Sequence, residues 1–143
     1  MNNYLSNTEM ASLVEAIKQA ENQSTGEIRV HIDSTSVDNN AKVAFDVFKK
    51  LGMDQTKERN AVLFHVNFEK KYLTIIGDKG IHEKVHQKFW NDLHDKITLA
   101  FSKGKYYQGL HDAILETGME LKNFFPIKDG ENPNELSNEI TFS

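Results

Sequence analysis

A His-Glu-x-x-His pattern at positions 82–86 has the residue types and spacing of a zinc-hydrolase helix. In such helices the two histidines bind Zn²⁺ from one face and the glutamate activates a water molecule. Here the pattern is His82, Glu83 and His86, and Lys84 places a charge inside it. A third protein ligand is also needed, and the later candidates are His111, Glu116 and Glu120. The pattern therefore indicates either a zinc site or a partly exposed helix start.

A second group of side chains offers oxygen ligands near the ends of three predicted strands. Its carboxylates and amide are Glu27, Glu58, Asn60 and Asp78. Several carboxylates with an amide oxygen suit a hard cation such as Ca²⁺ or Mg²⁺. The other members, which would contact a phosphate or another ligand, are Thr25, Arg59 and Lys79. A cation together with Arg59 could clamp a phosphate and polarise it for attack by water. The alternative is that Arg59 pairs with Glu27 or Glu58, and that Asn60 only turns the chain into a strand.

The elements that would position these residues follow from periodicity and capping signals. Ser6 and Glu9 form a capping box for a helix over residues 8–21, and Asp38 is a candidate cap for a second helix that ends near Gly52. Alternating apolar residues predict a strand over 27–33 and a hairpin of strands over 61–68 and 72–76. Helical spacing resumes over 81–100 and 110–125. The predicted order is α-β-α-β-β-α-α, which is an α/β fold.

The handedness of the strand-helix-strand unit decides which residues meet. A right-handed crossover makes the first two strands parallel, and the third returns antiparallel. The starts of the first two strands and the end of the third then share one edge of the sheet, which brings the oxygen ligands together. Asp33 and Asp38 lie at the opposite edge, which is the alternative location for a site.

Composition limits the classes of function. The chain has no cysteine, so a metal must be held by histidine or oxygen ligands, and its net charge is −4. Because only 2 of its 17 basic residues are arginine and no basic face is evident, we expect no nucleic-acid partner. We expect no membrane insertion and a cytoplasmic location, since no apolar run approaches a membrane span and the first residues do not form a signal peptide. Residues 1–125 should form one domain, and residues 126–143 a flexible polar tail. Four further histidines, at positions 31, 65, 94 and 111, share no pattern.

Several segments resemble the TPM domain, a family named for a thylakoid-lumen protein, a photosystem II repair protein and a receptor modulator. They are AE at 20–21, STGEIRVHI at 24–32, ERNAVLF at 58–64, IIGDKGI at 75–81 and FW at 89–90. The resemblance spans residues 8–125 and implies a three-layer α/β/α sandwich, with a small mixed sheet and about four helices. It also implies divalent-metal binding, with an acid-phosphatase activity proposed for plant members. The polar edge of the family falls on Thr25, Gly26, Glu27, Arg59, Asn60, Gly77 and Asp78.

Two departures from the family pattern affect the interpretation. Many members have glycine where this chain has Ala61, and similar members commonly lack histidine at positions 82 and 86, which lowers the weight of the zinc alternative. The combined prediction is a monomer that binds Ca²⁺ or Mg²⁺ at an edge formed by Glu27, Asn60 and Asp78, with Glu58 and Arg59 adjacent. It would act either as a phosphatase on a phosphorylated small molecule or as an adaptor for a protein partner. The lack of an evident nucleophile or general base favours binding over catalysis.

Overall fold

The computed structural model describes residues 4–35, 40–127 and 136–143. The helices are α1 (Asn7–Glu21), α2 (Asn40–Lys50), α3 (Lys79–Ser102) and α4 (Tyr106–Phe124), with a short 3₁₀ turn at Met53–Gln55. The strands are β1 (Glu27–Ile32), β2 (Ala61–Asn67), β3 (Tyr72–Gly77) and β4 (Thr141–Phe142). Apart from the 3₁₀ turn, the predicted order α-β-α-β-β-α-α is confirmed up to α4. The predicted cap Asp38 lies outside the described residues.

The strands form one mixed sheet in the order β3-β2-β1-β4. β1 and β2 are parallel with Glu27 opposite Ala61, while β2 and β3 are antiparallel with Val62 opposite Gly77. This is the arrangement expected from a right-handed crossover followed by a hairpin. It confirms that the starts of β1 and β2 and the end of β3 lie at one edge.

Alternation along the strands divides the core between the two faces of the sheet. On one face, Ile28, Val30 and Phe64 pack in the larger apolar cluster with residues of α1, α3 and α4. On the other face, Ala61 and Leu63 pack with Phe48 of α2 and Met53 of the 3₁₀ turn. The structure is therefore the predicted three-layer α/β/α sandwich. No helix within the described ranges is both long enough and apolar enough to cross a membrane.

Two described parts of the segment that was predicted as a solvated tail, from residue 126 onward, pair with the rest of the chain. Pro126 forms an isolated bridge with Ser24, and β4 pairs in parallel with His31 and Ile32 of β1. The reason is that β1 would otherwise present unpaired backbone groups along its outer side. The last residues satisfy some of these groups, a long-range contact that local periodicity does not reveal.

Candidate functional site

The predicted oxygen ligands lie at the expected edge, but their side chains form three separate hydrogen-bonded groups. In the first group, the Thr25 hydroxyl donates to Oε2 of Glu58 over 2.8 Å. The same hydroxyl oxygen accepts from Nδ2 of Asn60 over 3.0 Å. Asn60 is fully buried, and its Oδ1 has no hydrogen-bond partner among the described residues. This group therefore contains a buried acceptor that lacks a donor.

The second group joins Arg59 to Asp78. The guanidinium donates from Nε to Oδ2 and from Nη2 to Oδ1, the latter over 2.8 Å. The Asp78 carboxylate also caps α3 by accepting from the Lys79 amide over 2.8 Å. The sequence-based alternative that Arg59 pairs with Glu27 or Glu58 is therefore wrong, because its Nε and Nη2 atoms donate to Asp78 instead. Because both Asp78 oxygens accept hydrogen bonds, a cation at this carboxylate would compete with Arg59.

Gly80 allows the start of α3 to approach the loop before β2 closely. The amide of Gly80 donates to the Arg59 carbonyl over 2.7 Å, and a Cβ at Gly80 would overlap the carbonyl oxygens of Glu58 and Arg59. Arg59 itself has φ of 53°, a left-handed conformation that is uncommon for a residue with a side chain. The close approach of α3 to the loop before β2 explains the glycine in the Gly-Asp-Lys-Gly sequence.

The third group pairs Glu27 with Glu21, a residue that the sequence did not single out. Oε2 of Glu21 accepts from the Ile28 amide on the outer side of β1 over 2.7 Å. Burial and then the neighbouring Glu27 raise the pKa of Glu21 to about 8, despite opposing effects from the Ile28 amide and Arg29. A protonated Glu21 can donate to Glu27, which is itself buried. Glu21 lies at the end of a helix, and no periodicity rule places a helix end against a strand edge.

These partners define what the edge can offer a metal ion. Across residues 4–35, 40–127 and 136–143, no three His, Asp or Glu side chains are arranged to hold a metal. The group of Thr25, Glu58 and Asn60 contains the oxygen types that a hard cation takes as ligands, namely a hydroxyl, a carboxylate and an amide oxygen without a donor among the described residues. Glu27 and Asp78 do not join this group unless their present partners are displaced.

The histidine motif does not have the geometry of a zinc-hydrolase helix. His86 has φ of 66° and ψ of 173°, so α3 bends within the motif and the two histidines are not related by a regular helical turn. Nδ1 of His82 accepts from Trp90 over 3.0 Å. Of the third-ligand candidates, Glu116 pairs with Lys96 over 2.9 Å, on a different helix surface. These contacts do not favour the zinc alternative.

The opposite end of β1 carries a second polar cluster. His31 and His65 occupy paired positions on β1 and β2, and their rings stack with centroids 5.3 Å apart. Nε2 of His65 lies 3.5 Å from Oδ2 of Asp33, whose other oxygen accepts from the Thr35 amide over 2.8 Å. The view that these histidines share nothing is therefore wrong, since the parallel register aligns them. The available signal was their common distance of four residues from the starts of β1 and β2.

This histidine pair is held in the neutral state by its surroundings. Burial and then the neighbouring His65 lower the pKa of His31 to about 4, and Asp33 only partly opposes them. Burial likewise lowers the pKa of His65. A neutral His31 can both donate and accept, and its two nitrogens lie 2.7 Å from the Thr141 hydroxyl and 2.6 Å from the Ser143 hydroxyl. The pair therefore anchors the end of the chain.

Comparisons with known proteins agree with this architecture. A family model described as the TPM domain matches residues 1–120. The NMR structure of the BA42 protein from the psychrophilic bacterium Bizionia argentinensis is similar, with 40% identity, a TM-score of 0.90, and coverage of 100% of this chain and 98% of that chain. The N-terminal domain of a protein from P. gingivalis shares the fold at 17% identity, with a TM-score of 0.68 and coverage of 85% and 78%. No curated protein matched the chain.

Proposed function

The chain belongs to the TPM domain family, and from this premise we propose that it binds a divalent hard cation, Ca²⁺ or Mg²⁺, where Thr25, Glu58 and Asn60 meet. The observation that carries the proposal is the Oδ1 atom of Asn60, which is buried and has no donor within the described residues. Leaving such an acceptor unpaired costs about 1–3 kcal/mol. A cation relieves this cost and takes the neighbouring carboxylate and hydroxyl oxygens as further ligands.

The other predicted carboxylate ligands, Glu27 and Asp78, already have partners with which a bound cation would compete. Asp78 is paired with Arg59, and Glu27 is paired with Glu21. A cation bound beside Asn60 would favour the ionised form of nearby carboxylates and compete with Arg59 for Asp78. Glu27 and Asp78 therefore supply negative charge to the edge and enter the ligand set only after these pairs open.

We favour a binding module over an enzyme. His82, which follows Asp78 in the first turn of α3, is hydrogen-bonded to Trp90. The module would use its ion to organise a surface for a protein partner. As part of this proposal, the protein is a cytoplasmic monomer that does not bind nucleic acid. One feature supports the phosphatase alternative: Arg59 is 38% exposed and lies at the N-terminus of α3 with Lys79, where a phosphate group is favoured.

Cation titration of the whole protein tests the proposal. Addition of Ca²⁺, Mg²⁺ or Zn²⁺ would be followed by backbone amide NMR, and we expect the Ca²⁺ or Mg²⁺ shifts to centre on residues 25–27, 58–60 and 77–79. Shifts centred on Asp33 and Ser34 would instead locate the ion at the opposite edge. No shift with any of the three ions would contradict the proposal.

Asn60→Asp offers a sharper test. The new carboxylate is buried, so the variant should be destabilised in chelator and regain stability when Ca²⁺ is added. Asn67→Asp is a matched control, because Asn67 is also buried and lies at the other end of β2. Thermal unfolding with and without Ca²⁺ measures both. If Ca²⁺ rescues neither variant or both equally, Asn60 is not a ligand.

The phosphatase alternative has a separate readout. Hydrolysis of a phosphomonoester that is abolished both by chelator and by Asp78→Ala would establish the enzyme. Cation binding without turnover would establish the module.

A further inference from the structure

The outer side of β1, at the end opposite the proposed cation site, is occupied by the last residues of the chain. Thr141 and Phe142 pair with His31 and Ile32. The Ser143 amide donates to the Ile32 carbonyl over 2.9 Å, and its carbonyl accepts from the Ser34 amide over 2.8 Å. Residues 141–143 therefore occupy a short backbone-binding edge in the way that an added β-strand would.

On one face of this edge, the His31 side chain contacts the hydroxyl groups of two residues that are two positions apart in the chain. Nδ1 of His31 lies 2.7 Å from the Thr141 hydroxyl, and Nε2 lies 2.6 Å from the Ser143 hydroxyl. The His31 ring stacks on His65, which is fully buried, and this contact does not depend on residues 141–143, so it restricts the orientation of the ring when an incoming strand replaces them. A fixed imidazole with one nitrogen toward each hydroxyl can satisfy two hydroxyls at once.

The other face of the same edge is only partly filled. Phe142 points away from His31, because successive residues of a strand alternate, and it borders a cavity of about 410 Å³. The apolar part of the lining comes from Tyr4, Ile32 and Phe68. Phe142 is nevertheless 56% exposed, so the resident segment leaves much of this apolar space unused.

We propose that the outer edge of β1 from Val30 to Ser34 binds an extended segment of a partner protein with a hydroxyl, an aromatic and a hydroxyl residue in succession. Residues 141–143 act as an internal ligand of the same chemistry. Main-chain pairing supplies affinity, His31 selects the hydroxyls, and the cavity beside Tyr4 and Phe68 selects the aromatic group. Because β4 is two residues long and its aromatic side chain is poorly covered, a partner segment with a better-fitting aromatic residue can displace it.

Binding of a synthetic peptide to the full chain tests this proposal. The probe is a fluorescently labelled copy of residues 136–143, LSNEITFS, measured by anisotropy. The resident segment competes with the peptide in the unmodified protein. The double variant Thr141→Val/Ser143→Ala weakens this competitor by removing its two hydrogen bonds to His31 and the long one from the Thr141 hydroxyl to the Val30 carbonyl. We therefore expect it to bind the peptide roughly tenfold more tightly. Ser137→Ala is the matched control, because the hydrogen bond of the Ser137 hydroxyl within the described part of the chain is a local one, accepted from the Glu139 amide.

Two altered peptides distinguish the two faces of the edge. LSNEIVFA lacks both hydroxyls and should lose most of its affinity, while LSNEITWS should bind more tightly because a larger ring fills the cavity. Equal binding of LSNEITFS and LSNEIVFA, or equal affinity of the double variant and the Ser137→Ala control, would overturn the proposal. Concentration-dependent dimerisation without peptide binding would also overturn it, because the occupant would then be a second copy of this chain. These results are independent of cation binding, so either proposal can fail alone.

Discussion

Acid should destabilise this protein through His31 once the opposing effect of Glu21 is removed. The pKa of His31 is lowered from 6.5 to about 4 by burial and by the adjacent His65. As the pH falls below 6.5, the unfolded chain takes up a proton at this position and the folded protein does not. The contribution of His31 to stability is therefore complete above about pH 7 and decreases toward pH 4. Arg29 and Lys50 act in the same direction, while Asp33 opposes them.

The size of the effect follows from the two pKa values. With values of 6.5 and about 4, lowering the pH from about 7 to about 5 removes about 2 kcal/mol of the free energy of unfolding. Glu21 acts in the opposite direction, because its pKa is raised from 4.5 to about 8 and the folded state holds the proton more strongly. Acidification over the same range therefore favours the folded state through Glu21. We expect the unmodified protein to show only a weak pH dependence in this interval.

Substitutions of Glu21 and His31 separate their opposing contributions to the pH dependence of stability. Glu21→Gln keeps an uncharged side chain at the Ile28 amide and removes the opposing effect, so this variant should lose about 2 kcal/mol or more between about pH 7 and pH 5. Adding His31→Gln should remove most of that loss. Urea unfolding followed by circular dichroism at several pH values measures both. If the double variant keeps the full pH dependence of Glu21→Gln, the neutral buried His31 is not its source.

Two further substitutions test the packing and capping at the sheet edge. Gly77→Ala should destabilise the protein by about 1–3 kcal/mol, because the added Cβ would overlap the ring of Trp90; chemical unfolding measures it, and a neutral result would contradict the close contact. Asp78→Ala should cost about 1–2 kcal/mol through loss of the α3 cap, whereas Asp46→Ala, which affects an exposed pair on α2, should change the free energy of unfolding little. Equal effects of these two aspartate substitutions would show that Asp78 does not stabilise α3.

Most of the fold could be predicted because its signals are local or topological. Strict alternation from Glu27 to Ile32 and the Ser6–Glu9 capping box identify a strand and a helix start without tertiary information. The handedness of the crossover then places Asn60 and Asp78 at the same edge as Glu27. These rules depend on backbone geometry, which tolerates changes in side chains.

The partners of the site residues could not be predicted, because they depend on distances of a few ångströms. Arg59 pairs with Asp78 rather than with Glu58, and its backbone is left-handed, two features that no local pattern indicates. The pairing of His31 with His65 requires the register of two strands that are more than thirty residues apart. The strand at Thr141 is too short to produce alternation, so only the open side of β1 could have indicated it.

The covering of β1 also bears on how the protein behaves at high concentration. The backbone groups of β1 that face outward have partners at four alternate positions. The Ile28 amide donates to Glu21, and the Val30 carbonyl accepts from the Thr141 hydroxyl. The Ile32 carbonyl accepts from the Ser143 amide, and the Ser34 amide donates to the Ser143 carbonyl. Sheets grow into aggregates by adding strands to continuous, unpaired edges. Here the Glu21 carboxyl group covers the beginning of the β1 edge, and β4 covers its end. While residues 141–143 stay in place, a neighbouring molecule therefore cannot readily extend this side of the sheet.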